Sequence, residues 1–301
     1  MTTAGVHGSS LSDPLDLGGP LLRQLERLAV RGSRRVLGQL GGGRRAGRPG
    51  SSLEFADYRT YVPGDDFRRV DWNAYGRLDR LVLRLYEGEE DTCLNLFVDC
   101  SASMAWGRPE KGRAARRLAG ALAYMALCGH DRVSVTGVAD GVVGHLRAVR
   151  GRPAAPRVWS FLADLPVGGE TRFETIASVS IPSPGTSILL SDFLSEDLGE
   201  AAVAALRTRR QEVVVMQVLA PQELAPDLAG DIALKDLESG ARVEITVTPA
   251  VLARYHAALE SHVDQIRAMT RAHGAAYHLA GSAEDLEVLI PQTLRRAGIL
   301  A

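Results

Sequence analysis

From residue 94 onward, apolar runs of strand length alternate with stretches of helical period, and this alternation is the chain's main structural signal. The run 94–98 (Leu94, Asn95, Leu96, Phe97, Val98) is apolar enough for a buried central strand. A helix opening at Pro109 carries Ala115, Leu118, Leu122 and Met125. Segments 132–138 and 142–149 read as strands joined at Ala139, Asp140 and Gly141, a hairpin signal. Helices are predicted at 153–165 and 173–179, a strand at 186–190, a helix at 196–209 and a very apolar strand at 213–219. A second hairpin spans 232–247 around Glu238, Ser239 and Gly240. A long helix over 249–273, a strand at 276–279 and a helix over 283–296 complete the pattern. Together they predict a doubly wound α/β domain, a mostly parallel sheet between two helical layers. In such sheets ligands gather at the C-terminal ends of the strands.

The first third is patterned differently. The first dozen residues read as disordered. After Asp13 and Pro14, Leu15, Leu22, Leu25, Leu28 and Leu37 recur at roughly helical spacing, interleaved with Arg23, Arg27, Arg31, Arg34 and Arg35. Gly41 to Gly43 close this stretch. It is either a solvated amphipathic helix with a flexible linker or a dock for an acidic partner. Alternation in 81–86 and 92–98 around a polar turn predicts a β-hairpin. The expected organisation is a basic N-terminal segment (1–49), an extension containing that hairpin (50–91), and the α/β domain (92–301) with a hairpin insertion near 230–247.

Composition adds exclusions. At 46% apolar and 24% charged residues the chain can bury a proper core, and a net charge of -1 implies no whole-surface attraction to nucleic acid or anionic lipid. The three cysteines lack metal-ligand spacing and read as reduced, buried thiols. No run approaches the ~18 apolar residues of a spanning helix, and no signal peptide is apparent, so a soluble, cytoplasmic protein is expected.

The candidate chemistry follows the first buried strand. Asp99, Ser101 and Ser103 place one carboxylate and two hydroxyls on a loop at a strand's C-terminal end. Oxygen-only ligands suit a hard cation such as Mg²⁺ or Mn²⁺, and few direct charges would leave the ion electrophilic toward an outside carboxylate. The alternative is that these residues merely cap the next helix. The D-x-S-x-S pattern resembles the metal-ion-dependent adhesion site of von Willebrand factor A domains. That likeness implies a threonine from a second loop, here Thr171, with Thr175 and Thr186 as fallbacks. It also implies an aspartate from a third loop, here Asp192. By the same likeness Ser101, Ser103 and Thr171 touch the ion, while Asp99 and Asp192 act largely through water. Glu170, beside Thr171, could reach the ion from within and make a self-inhibited state.

A longer pattern is similar to the DUF58 family: Glu54-Phe55, then Arg59, Tyr61, Pro63-Gly64-Asp65-Asp66, Arg68 and Asp71-Trp72, then the D-x-S-x-S motif with Met104. The resemblance runs from about residue 50 onward. It implies work beside a MoxR-type AAA+ ATPase in protein maturation or complex assembly. Arg59, Tyr61, Asp65, Asp66, Arg68, Asp71 and Trp72 form either a structural knot or a partner surface. The leading expectation is a metal-dependent protein-interaction module rather than an enzyme. The rival is a metal-assisted phosphoryl hydrolase with Asp99 as nucleophile, which lacks the second carboxylate that Ser101 replaces. No nucleotide-binding Gly-Lys loop is present, so ATPase activity is expected of a partner.

Overall fold

The computed structural model describes residues 13–32, 53–62, 70–88, 93–181, 185–195, 198–238 and 240–296. Its elements are α1 (Gly19–Gly32), β1 (Leu53–Thr60), α2 (Trp72–Leu78), β2 (Val82–Gly88), β3 (Cys93–Asp99), α3 (Lys111–Cys128), β4 (Arg132–Val138), β5 (Val142–Arg150), α4 (Ala155–Ala163), β6 (Thr186–Ser191), α5 (Glu200–Thr208), β7 (Glu212–Leu219), α6 (Pro221–Leu224), β8 (Gly230–Lys235), β9 (Arg242–Val247), α7 (Pro249–Ala272), β10 (Ala276–Gly281) and α8 (Leu286–Arg296). They fall into two compact units, Gly43–Asp91 and the remainder of the chain.

The larger unit is α/β, built on a six-stranded sheet of order β10-β7-β6-β3-β4-β5. β3 runs parallel to both β4 and β6, β7 and β10 continue the parallel set, and only β5 at the edge is antiparallel. Every residue of β3 is buried, as a strand covered on both faces requires. Leu94, Leu96 and Val98 pack into the core on the α3 face, whereas Phe97 packs on the α5 face with Leu189, Val203 and Ile266. After β3 the chain crosses one face through α3 to β4, while β6 lies on the other side of β3 and leads into α5. The crevice between the C-terminal ends of β3 and β6 is therefore a point where the winding reverses, the place where open α/β sheets bind ligands.

Buried polar side chains tie the strands together lower in the sheet. Asn95 Nδ2 donates to Gln211 Oε1 (3.0 Å), Ser134 donates to Asn95 Oδ1 (2.7 Å), and Ser187 donates to the same Gln211 oxygen (3.1 Å). Cys93 and Cys100 are buried free thiols that burial pushes up to about 11.

Three expectations need correction. The segments 81–86 and 92–98 do not form a hairpin: β2 pairs antiparallel with β1 inside the small unit, and β3 pairs with β4 and β6. Period-2 alternation identifies a strand but not its partner. Segment 173–178 is a 3-10 turn rather than an α-helix. Finally, α1 is not a solvated arm. Leu15, Leu17, Leu21 and Leu25 are buried in the same core as α3, and Tyr124 Oη donates to Glu26 (2.5 Å). Leu37 and the glycine run lie outside the described residues.

In the small unit, β1 and β2 form a two-stranded ribbon with an irregularity between Phe55 and Asp57. Asp71 caps α2, accepting from the backbone N–H groups of Asn73 (3.0 Å) and Ala74 (3.1 Å). Among the described residues no helix is long and apolar enough to cross a membrane.

Candidate functional site

Three loops at the C-terminal edge of the sheet bring the predicted residues together. Asp99 ends β3 and is 3% exposed. Its Oδ1 accepts the Ser101 N–H (2.8 Å), which folds the following backbone into a tight Asx turn. Its Oδ2 accepts the Ser191 hydroxyl (2.5 Å) and the Thr171 hydroxyl (3.0 Å). Ser101 and Ser103 stand with their hydroxyl oxygens 2.9 Å apart. Helix capping does not account for this arrangement. Ser101 precedes a short 3-10 turn without a side-chain cap, and α3 begins only at Lys111.

The second loop is docked by backbone bonds. Gly168 N–H donates to Cys100 O (2.8 Å) and Ala102 N–H to Gly169 O (3.0 Å), so the Thr171 loop lies directly on the 99–103 loop. Gly168 and Gly169 both have positive φ, and a Cβ on Gly169 would come within 2.3 Å of the Asp140 carboxylate. Asp140, at the β4–β5 turn, accepts the Glu170 N–H (2.9 Å) and fixes the loop from behind. The fallback threonines lie elsewhere. Thr186 is buried at the start of β6, and the half-buried Thr175 donates to Arg172 O (2.8 Å).

The third loop leaves β6 through Phe193, whose φ of 52° is a left-handed conformation unusual for a bulky residue. The fully buried ring stacks on Phe173 with centroids 4.9 Å apart, and its carbonyl lies 2.5 Å from His262 Nε2. These contacts hold the strained turn and aim Asp192, whose backbone carbonyl accepts from Gln217 (2.8 Å). Asp192 Oδ1 accepts the Leu194 N–H (3.2 Å).

Burial pushes the Asp99 carboxyl up; hydrogen bonds from Ser191 and Ser101 oppose the shift and neighbouring Asp192 adds to it. A divalent cation is the agent that would favour its ionised form. The donor chemistry fits such an ion. The Thr171 and Ser191 hydroxyl protons are committed to Asp99; this leaves the Thr171 oxygen lone pairs available, while the Ser191 oxygen also accepts the Phe193 N–H (3.0 Å), and the Ser101–Ser103 pair adds two more oxygens. Among the described residues no three His, Cys, Asp or Glu side chains cluster as metal ligands.

A family model described as "Protein of unknown function DUF58" matches residues 57–265. The chain belongs to the DUF58 family. DUF58 relatives described as uncharacterized proteins, from Mycobacterium tuberculosis and Mycobacterium bovis, are 27% identical over 235 residues, covering 75% of this chain and 74% of theirs. Among solved structures, BatB from Bacteroides thetaiotaomicron is 15% identical with a TM-score of 0.46, covering 69% of this chain and 98% of that one. An aerotolerance-related membrane protein from Bacteroides fragilis is 13% identical with a TM-score of 0.42, covering 68% and 98%.

The DUF58 site contains residues that the sequence patterns did not single out. Lys111, 1% exposed, places its ammonium 2.6 Å from Asp192 Oδ2 and 2.5 Å from Glu223 Oε1. The available signal was scarcity: Lys111 is one of two lysines in a chain whose other basic residues are arginine. Ser191, one residue before Asp192, gave no signal at all. Glu238 at the β8–β9 turn is half-buried. Burial first, then the charges of Asp192, Asp99 and Asp236, push its carboxyl up. Glu170 is exposed, with its carboxylate 3.8 Å from Arg172. Of the proposed partner residues, Asp71 serves as a helix cap and Trp72 is 62% exposed, in edge contact with Tyr75. Tyr61 is half-buried, with its N–H donating to Leu81 O (2.9 Å). Asp65, Asp66 and Arg68 lie outside the described residues, as does any side-chain account of Arg59.

Proposed function

We propose that this DUF58 protein is a metal-dependent protein-interaction module whose larger unit is of the von Willebrand factor A type. Convergence of Asp99, Ser101, Ser103, Thr171 and Asp192 from three separate loops onto one crevice carries this reading. Ser101, Ser103 and Thr171 would hold Mg²⁺ or Mn²⁺ directly, with Asp99 and Asp192 bound largely through water. The ion would supply a Lewis-acidic position for a partner's Asp or Glu. The protein's own part is to pre-set the hydroxyls. Asp99 orients Thr171 and Ser191, and Lys111 balances the charge of Asp192.

The same loops expose large apolar side chains around this polar centre: Trp106 (40%), Val167 (40%) and Leu194 (42%). Apolar and aromatic contacts beside one buried charged anchor are the usual composition of a protein-binding hot spot. The phosphoryl-hydrolase reading is weaker. A nucleophilic Asp99 would have to attack from a 3% exposed carboxylate whose two oxygens already accept three hydrogen bonds.

We further propose, from the DUF58 resemblance, that the partner works with a MoxR-type AAA+ ATPase. The test is a pull-down with that ATPase and cell extract, comparing wild type with Asp99→Ala plus Ser101→Ala, each with Mg²⁺ and with EDTA. Partners retained only by the intact, metal-supplied protein are expected. A partner set indifferent to both metal and mutation would overturn the reading.

A further inference from the structure

Lys111 opens α3 beside Trp106, whose carbonyl accepts its backbone N–H (3.0 Å) and whose ring centroid lies 5.8 Å from its ammonium. That ammonium is buried against two carboxylates, Asp192 Oδ2 at 2.6 Å and Glu223 Oε1 at 2.5 Å. Glu223 is itself built in. Its Oε2 accepts the Ala220 N–H (2.7 Å) and its carbonyl accepts the Tyr255 hydroxyl (2.8 Å). The adjacent Gln222 exchanges two hydrogen bonds with the Arg108 backbone, each 3.0 Å long. The ammonium cannot leave this place without turning two poorly solvated carboxylates toward each other. Its hold on Asp192 is therefore lasting. Asp192 Oδ2 is taken by Lys111 and Oδ1 accepts the Leu194 N–H. The hydrogen bonds that Asp99 accepts come instead from neutral groups, the Ser101 N–H and the hydroxyls of Thr171 and Ser191. A cation in the crevice would meet the full charge of Asp99, but an Asp192 whose charge is shared with an ammonium.

We propose that Lys111 makes the metal ion and an outside carboxylate bind as a cooperative pair. This rests on the metal reading above. Repulsion from the ammonium weakens the ion's binding when no anion is present, and it leaves a bound ion with positive charge that the crevice does not cancel. A carboxylate from outside cancels that excess. Each ligand then raises the affinity of the other, and by linkage does so by the same factor. Lys111 is a positioning residue in this scheme, since it acts on the ion through Asp192 and not by ligation. An acidic partner thereby helps to load the ion to which it binds.

The test is Mn²⁺ titration of the full chain, with and without acetate, for wild type, Lys111→Met, and Lys111→Met combined with Glu223→Gln. The double variant removes one charge of each sign. It thus keeps the net charge and avoids the facing carboxylates that threaten the fold of the single variant. Circular dichroism checks that both are folded. Acetate is expected to tighten Mn²⁺ binding to wild type several-fold. Without acetate the folded variants should bind Mn²⁺ on the order of tenfold more tightly than wild type, because a positive charge near the ion is gone. They should also lose most of the acetate effect. A merely structural role for Lys111 predicts the opposite sign, since a loosened Asp192 loop would hold the ion more weakly. Equal or weaker binding in the folded double variant, beside measurable binding in wild type, would overturn the proposal while leaving the metal site standing. Absence of Mn²⁺ binding in all three proteins would remove the metal reading, and the proposal with it.

Discussion

Lys111 shows how much of a site can rest on one side chain. Its ammonium lies between Asp192 and Glu223, both nearly excluded from water, and a compact point charge fits there where a planar guanidinium would not. Deleting that charge leaves two carboxylates facing each other in a poorly solvated place. Lys111→Met should therefore destabilise the protein by about 3–5 kcal/mol, as removal of one partner from a buried pair does. Urea unfolding at neutral pH checks this; a loss below about 1 kcal/mol would mean that water reaches the cluster. At this scale the sequence was legible where residue types carry a motif, in Asp99, Ser101, Ser103, Thr171 and Asp192. It was silent on Lys111 and Ser191, because proximity across 80 or more residues leaves no local pattern. Lys111 and Asp192, for instance, are 81 positions apart.

At the scale of elements, what positions the site is mostly loop geometry held by backbone bonds. The Thr171 loop depends on Gly169, whose φ of 81° and closeness to Asp140 leave no room for a Cβ. Gly169→Ala should cost roughly 1–3 kcal/mol in stability, as left-handed backbone does for other residues. It should also weaken Mn²⁺ binding by shifting Thr171, whereas Gly141→Ala, with open space around its Cβ position, should leave binding unchanged. Parallel calorimetric titrations of the two variants separate these outcomes, and unchanged affinity in Gly169→Ala would mean Thr171 is not a ligand. The strands were legible because buried parallel strands read as continuous apolar runs, β3 and β7 above all. The pairing of β2 was not, since an alternating strand fits any partner of matching face. The 3-10 turn at 173–178 was equally hidden, because its apolar spacing of Phe173 and Ile176 suits either helix type.

For the whole molecule, the larger unit places two apolar cores on opposite faces of one sheet and leaves a polar crevice where its winding reverses. Within that unit, α1 closes the α3 side with Leu21 and Leu25 in the core; of the leucines whose spacing the sequence showed, Leu22 and Leu28 are only partly buried against it. What the spacing could not show was that their face meets this core rather than a partner. The hairpin insertion was also visible as alternation around Glu238, Ser239 and Gly240, and its strands pair antiparallel as β8 and β9. The proposed function requires that the crevice take a single divalent cation through oxygen ligands. A Mn²⁺ titration read by electron paramagnetic resonance tests it most directly, on wild type and on Ser101→Ala combined with Thr171→Ala, with the fold of each checked by circular dichroism. One saturable Mn²⁺ per wild-type chain, displaced by Mg²⁺ and lost in the folded double variant, is the predicted result. No saturable binding to wild type, or equal binding to the double variant, would contradict it.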